Sequence, residues 1–109
     1  MSETITVTLP ASADWKDVHS RLNSDTGGYA KFFFYYVMTR NGVQQVGEVD
    51  INDNGLQTQM DHEFSIVPVG DDTGVSFRVA HVNGVRTFQY QTTGAGNTTF
   101  KAKIEHTIA

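Results

Sequence analysis

The sequence predicts a mainly β domain with one short helix: an antiparallel β-sandwich or open barrel of about seven strands, with a helix over residues 12–23 packed on it. Three observations predict it. The run Phe32-Phe33-Phe34-Tyr35-Tyr36-Val37-Met38 is large and apolar at both strand parities, which suits a central strand covered above and below. Two Asn-Gly pairs, Asn41-Gly42 and Asn83-Gly84, sit between alternating segments and mark tight hairpins, because type I′ turns need positive φ at both central residues. Only one window, Ser12–Asn23, has helical spacing of its apolar residues.

Residues Thr4–Leu9 alternate Ile5, Val7 and Leu9 with Thr4, Thr6 and Thr8, the pattern of a half-exposed strand that Pro10 ends. In 12–23, Trp15, Val18, His19 and Leu22 form one stripe; Ser12 or Asp14 can cap it, and Arg21 lies in the last turn. So short a helix would need Trp15 docked on the sheet to hold. From Tyr29 onward strands and turns follow each other: Tyr29–Arg40, Val43–Ile51, Leu56–Val67, Val75–Val82, Val85–Thr92 and Thr98–Thr107. Parity places Met60, His62, Phe64 and Ile66 inward, against Gln57, Gln59, Asp61, Glu63 and Ser65. It likewise sets Phe100, Ala102, Ile104 and His106 against Lys101, Lys103 and Glu105.

The 109 residues fit a single domain, 1–109, large enough for a core without staples, and no cysteine is present to form disulfides or thiolate metal sites. No basic and apolar leader precedes Thr4, so the compartment stays open: cytoplasmic, or released without a visible signal peptide. No apolar run approaches the roughly 20 residues of a membrane-spanning helix. Net charge is −4, and the 8 basic residues are scattered rather than clustered, which argues against a nucleic-acid or anionic-lipid partner.

Residue types in the chain suggest four functions. Asp50-Ile51-Asn52-Asp53-Asn54-Gly55, with Asp61 at the twelfth position, matches the first half of a calcium loop, yet the flanks are not helical and a hairpin favours the same residues. His62, His81 and His106 share the apolar parity of their strands, the usual place for core-border histidines as well as for zinc ligands. Hence no metal and no cofactor is expected. Ser65 near His62, or Asp61 with Glu63, supply catalytic residue types without a catalytic pattern, so a non-enzyme is expected. Gln44-Gln45-Val46-Gly47-Glu48 approaches the Q-x-V-x-G loop of cystatin-type inhibitors, but Glu48 stands where the glycine belongs.

The remaining oddity is glutamine on strands. Gln57, Gln89 and Gln91, with Arg78 and Tyr90 nearby, offer paired donors and acceptors beside an aromatic ring, the needs of a hydroxyl-rich ligand. The same residues also suit a solvated sheet face. The leading expectation is therefore a non-enzymatic binding module, a small lectin-like protein taking a glycan or other polar ligand. The alternatives are a structural subunit that forms a homo-oligomer through its sheet, and a protein-binding inhibitor or immunity-type module.

Overall fold

The computed structural model describes residues 2–25, 30–53, 58–82 and 85–108. Its strands are β1 (Ser2–Leu9), β2 (Lys16–Asp17), β3 (Ser24–Asp25), β4 (Ala30–Arg40), β5 (Val43–Asp53), β6 (Thr58–Val67), β7 (Val75–Val82), β8 (Val85–Thr92) and β9 (Thr98–Ile108). Every pairing among the described residues is antiparallel. One sheet runs β1-β9-β4-β5-β6; in the other, β8 pairs β7 along one edge and the short β2 and β3 along its length. The two sheets face each other across one core and do not close into a barrel.

Local signals account for most of this. Asn41 (φ 52°) and Gly42 (φ 78°) make the tight turn that pairs β4 with β5 from Arg40↔Val43 outward. β7 and β8 pair from Val82↔Val85, around Asn83 and Gly84, which lie outside the described residues. The Asp50–Asp61 segment is a hairpin: Asp50 opposes Asp61 and Asp53 opposes Thr58, so the residues that resembled a calcium loop belong largely to paired strands. Residues 54–57 lie outside the described residues. The cystatin-like stretch is likewise part of β5 rather than a loop.

The core draws Ile5, Leu9, Phe34, Tyr36, Met38, Val49, Ile51, Phe100, Ala102 and Ile104 from the five-stranded sheet. Phe88 and Tyr90 come from the other sheet, with Val18 and Leu22 from the segment before β3. Phe34 meets Phe88 edge to face at 5.0 Å, joining the layers. Each buried Val, Leu, Ile, Met or Phe among them contributes about 1.5–3 kcal/mol. Among the described residues no helix is long and apolar enough to cross a membrane.

The structure corrects two expectations. The helix over 12–23 is absent; only a 3-10 turn, Ser20–Leu22, remains. Val18 and Leu22 are buried as expected, but on extended chain. That chain serves β8, whose side away from β7 would otherwise leave backbone groups without partners. Ser12 O accepts from Thr92 N (2.8 Å), Val18 N donates to Phe88 O (3.0 Å), and the Asn23 side chain accepts from Phe88 N (3.0 Å). Local side-chain bonds, such as Ser12 Oγ to Asp14 O and Arg21 N to His19 Nδ1, also compete with helix.

The second correction concerns β4. It is the middle strand of its sheet, and Phe34, Tyr36 and Met38 are buried. Its other face is uncovered: Tyr35 is 51% and Val37 43% exposed, and Phe33 is half-buried with its ring edge-on to Tyr35 at 4.7 Å. With no helix to lie over it, this face has no second layer among the described residues.

Candidate functional site

The sheets part along β6 and β7. The 68–74 connection crosses there from one layer to the other and leaves a half-open cleft of about 400 Å³. His62, Phe64 and Ile66 of β6 form one wall and Val75, Ser76 and Phe77 of β7 the other; Gln45, Asp71, Asp72, Gly74 and Thr93 complete it. The inward parity of β6 holds, yet Phe64 is 54% exposed, because it overhangs the mouth where the second sheet ends. His62 packs against Phe64 (4.9 Å between centroids) and Phe77 (5.8 Å).

A hydrogen-bonded chain runs beneath the cleft. Thr73 Oγ1 donates to Gln45 Oε1 (2.9 Å), Gln45 Nε2 donates to the Tyr36 hydroxyl (2.7 Å), and that hydroxyl lies 2.6 Å from His62 Nε2. The phenol oxygen accepts from Gln45 and keeps its own proton to give, so a neutral His62 with its hydrogen on Nδ1 would accept that proton at Nε2. Gly47 makes room for it: Tyr36 lies across Gly47 to reach His62, and a Cβ there would fall 2.6 Å from the phenol oxygen.

Burial moves both titrating members toward neutrality. It lowers the His62 pKa, and it pushes Tyr36 up to about 12, with Gln45 pulling slightly the other way. The unfolded chain therefore binds the His62 proton more readily, so this part of the stability is present above about pH 6.5 and is lost as pH falls through the lowered folded value. Tyr36 has the opposite sense: its contribution is lost from about pH 10 up to the folded value. Urea midpoints measured from pH 7.5 to pH 5 should drop more steeply for the wild type than for His62→Gln; equal slopes would refute the neutral-acceptor role.

Of the predicted ligand residues, Arg78, Gln89 and Gln91 lie on the outer face of the second sheet. Arg78 and Gln89 come together: Arg78 Nε donates to Gln89 Oε1 (2.9 Å), and Gln89 Nε2 donates to Asp17 Oδ1 (3.0 Å). Gln91 shares that face, with its amide donating to Ala13 O. Tyr90 does not join them. Its parity is the opposite one; its ring is 2% exposed in the core and its hydroxyl donates to Pro10 O (2.8 Å). Gln57 lies outside the described residues.

Trp15, expected to dock on the sheet from a helix, lies there on extended chain, under the Arg78 guanidinium at 4.5 Å from its ring centroid. Ser76 and Arg78 are two residues apart on β7, so the lip of the cleft continues into this strip. The alternation of β6 signalled His62 and Phe64; the cleft itself depends on where the other sheet stops. Of the zinc candidates only His62 has a described side chain. Among the described residues, no group of three or more histidine, aspartate or glutamate side chains is placed to hold a metal ion.

No protein-family model and no curated protein matches the chain. Among solved structures, its fold is similar to part of the tailspike protein gp49 of Acinetobacter baumannii bacteriophage Fri1, a capsular polysaccharide depolymerase. The TM-score is 0.56 at 14% identity, over 99% of this chain and 19% of that one. The tailspike protein of Acinetobacter baumannii phage AM24 matches with a TM-score of 0.50 at 8% identity, over 100% of this chain and 26% of that one. This chain thus spans about a fifth to a quarter of the tailspikes it resembles, and at these identities the likeness is one of fold.

Proposed function

We propose that the chain is a non-enzymatic carbohydrate-binding module, of the kind a phage appendage would carry, and that it holds one or two sugar units of a polysaccharide in the β6–β7 cleft. The observation that carries this reading is the cleft: an exposed aromatic ring, Phe64, beside Phe77 and His62, with amide, hydroxyl and carboxylate groups at its rim. Sugars present apolar C–H faces to rings and hydroxyl pairs to such groups. A longer glycan would leave the cleft over Ser76 and meet Gln91, Arg78, Gln89 and Trp15 on the outer strip. The tailspike likeness supports the ligand class, since the first of those proteins acts on capsular polysaccharide.

Binding rather than cleavage is part of the proposal. Asp72, one of the two carboxylates at the cleft, accepts from Gly74 N (2.8 Å) and so holds its own turn. His62 is engaged with Tyr36. Titration of capsular oligosaccharides into the purified chain tests the reading. Phe64→Ala should weaken binding about three- to tenfold by loss of the stacking ring, and Arg78→Ala should weaken only the longer oligosaccharides. Absence of binding to every glycan on an array would overturn the proposal, and release of new reducing ends would overturn its non-enzymatic part.

A further inference from the structure

From the open ring nitrogen of His62 we infer that the β6–β7 cleft seats an N-acetylated amino sugar, whose acetamido oxygen accepts from His62 Nδ1 and whose methyl rests on the aromatic rings. The inference rests on the glycan reading of the cleft and adds which sugar it takes. The hydrogen-bonded chain beneath the cleft decides what His62 offers. Buried Thr73 Oγ1 accepts from Val75 N (3.4 Å), and among the described residues only Gln45 Oε1 is placed to take its proton. That orients the amide, whose Nε2 donates to the Tyr36 hydroxyl. His62 Nε2, 2.6 Å from that hydroxyl, is the acceptor left for the phenol proton. Were Nε2 to carry the ring hydrogen, the hydroxyl would face two donors, and its own proton would be stranded on a residue 1% exposed. Burial lowers the His62 pKa, so the ring is neutral at about pH 7 and its one hydrogen sits on Nδ1. Nδ1 bonds to no described residue and is not shut away from water. On a half-buried ring that lines the cleft, it is a fixed donor for whatever the cleft holds.

The surroundings of that donor match an acetamido group. Phe64 and Phe77 lie 4.9 Å and 5.8 Å from the His62 ring, centroid to centroid, with Ile66 and Val75 on the same walls. A carbonyl oxygen held by Nδ1 brings the methyl on the same carbon against these side chains, where its burial adds to the hydrogen bond. The amide N–H, on the other side of the group, needs an acceptor. The rim supplies carboxylates: Asp72 holds its own turn through Oδ1, which accepts from Gly74 N, and keeps Oδ2 for a ligand, and Asp71 stands beside it.

Charge narrows the class further. Among the described residues no lysine or arginine lines the cleft. Arg40 lies behind Gly74, with its guanidinium committed to backbone carbonyls. A uronate would therefore meet Asp71 and Asp72 with no cation to offset them. A free amino sugar fits no better, since its ammonium has no lone pair for the Nδ1 hydrogen and loses hydration against the rings.

Nuclear magnetic resonance on the nitrogen-15-labelled chain tests it. Long-range proton–nitrogen correlations of the His62 ring should place the hydrogen on Nδ1. Glucose and galactose, their N-acetylated amines, the free amines and the uronates are then titrated separately. The N-acetylated sugars should bind about tenfold tighter than the parent hexoses, from one hydrogen bond and one buried methyl. Saturation transfer should be strongest at the acetamido methyl. His62→Phe keeps a ring and removes the donor, and should bring N-acetylated and parent sugars to within about threefold of each other. Circular dichroism checks that this variant folds; if it does not, the wild-type titrations and ring correlations decide. Parent hexoses, free amines or uronates bound as tightly as the N-acetylated sugars, or a ring hydrogen on Nε2, would overturn the inference and leave the glycan reading in place. If no monosaccharide and no capsular oligosaccharide perturbs a cleft resonance, the glycan reading itself fails, and the inference with it.

Discussion

Replacing Arg40 with alanine should destabilise the domain by about 3–5 kcal/mol, the largest effect of any single substitution considered. Arg40 ends β4 and is only 3% exposed. Its guanidinium donates to four carbonyls: Nε to Gly96 O (3.1 Å), one terminal nitrogen to Thr73 O (2.7 Å), and the other to Gly94 O (3.1 Å) and Ala95 O (3.3 Å). Those carbonyls belong to the two connections that cross between sheets, 68–74 and 93–97. One planar fork therefore pins both crossovers to the central strand. Charged hydrogen bonds of this kind contribute about 1.5–3 kcal/mol each, and their loss leaves the buried Thr73 carbonyl without its donor. Lysine should recover only a minor part, since an ammonium cannot span four acceptors in one plane. Urea unfolding followed by circular dichroism measures the effect; an Arg40→Ala midpoint within about 1 kcal/mol of wild type would show that the clamp contributes little.

Adding one methyl group at Gly47 should cost about 2–4 kcal/mol. The glycine is needed for space: its Cβ would fall 2.6 Å from the Tyr36 hydroxyl and 2.7 Å from two ring carbons. Tyr36 has nowhere to retreat, being 1% exposed and stacked on Phe100 at 5.4 Å. If it shifts, the chain from Thr73 through Gln45 to His62 breaks at its middle. The cost should therefore be strongly non-additive with the ring that causes it: Gly47→Ala in a Tyr36→Ala background should be nearly neutral. Equal costs of Gly47→Ala in the two backgrounds would remove the steric account. Because His62 and Gln45 line the cleft, Gly47→Ala should also weaken any ligand held there.

Both residues show how uneven the legibility of this chain is. The alternation of Ile5, Val7 and Leu9, the parity of Phe100, Ala102 and Ile104, and the turn at Asn41-Gly42 all read correctly, because side-chain period and turn sterics are local properties. Arg40 read as one more scattered base, and nothing around it in sequence marks it as a clamp, since its acceptors lie more than 30 residues away. Gly47 read as part of a near-miss inhibitor motif; its reason is a ring on the neighbouring strand. The glutamines were half legible. Parity correctly put Gln89 and Gln91 on one face, but the same rule puts Tyr90 on the other, and its buried ring follows from that.

The 12–23 segment and the back of β4 mark the limit. Trp15, Val18, His19 and Leu22 satisfy helical spacing, and no local rule forbids the helix. It is absent because β8, some 70 residues later in the chain, offers an edge whose amides and carbonyls bind this segment in extended form. With the segment held on β8, no described element lies over Tyr35 and Val37, and the aromatic strand is shielded on a single side. Strand positions, parity and tight turns were set by neighbours along the chain. Where the sheets part, which loops a buried arginine clamps, and which face stays open were set by contacts between distant segments, because hydrogen bonding and burial are satisfied in space without regard to sequence order.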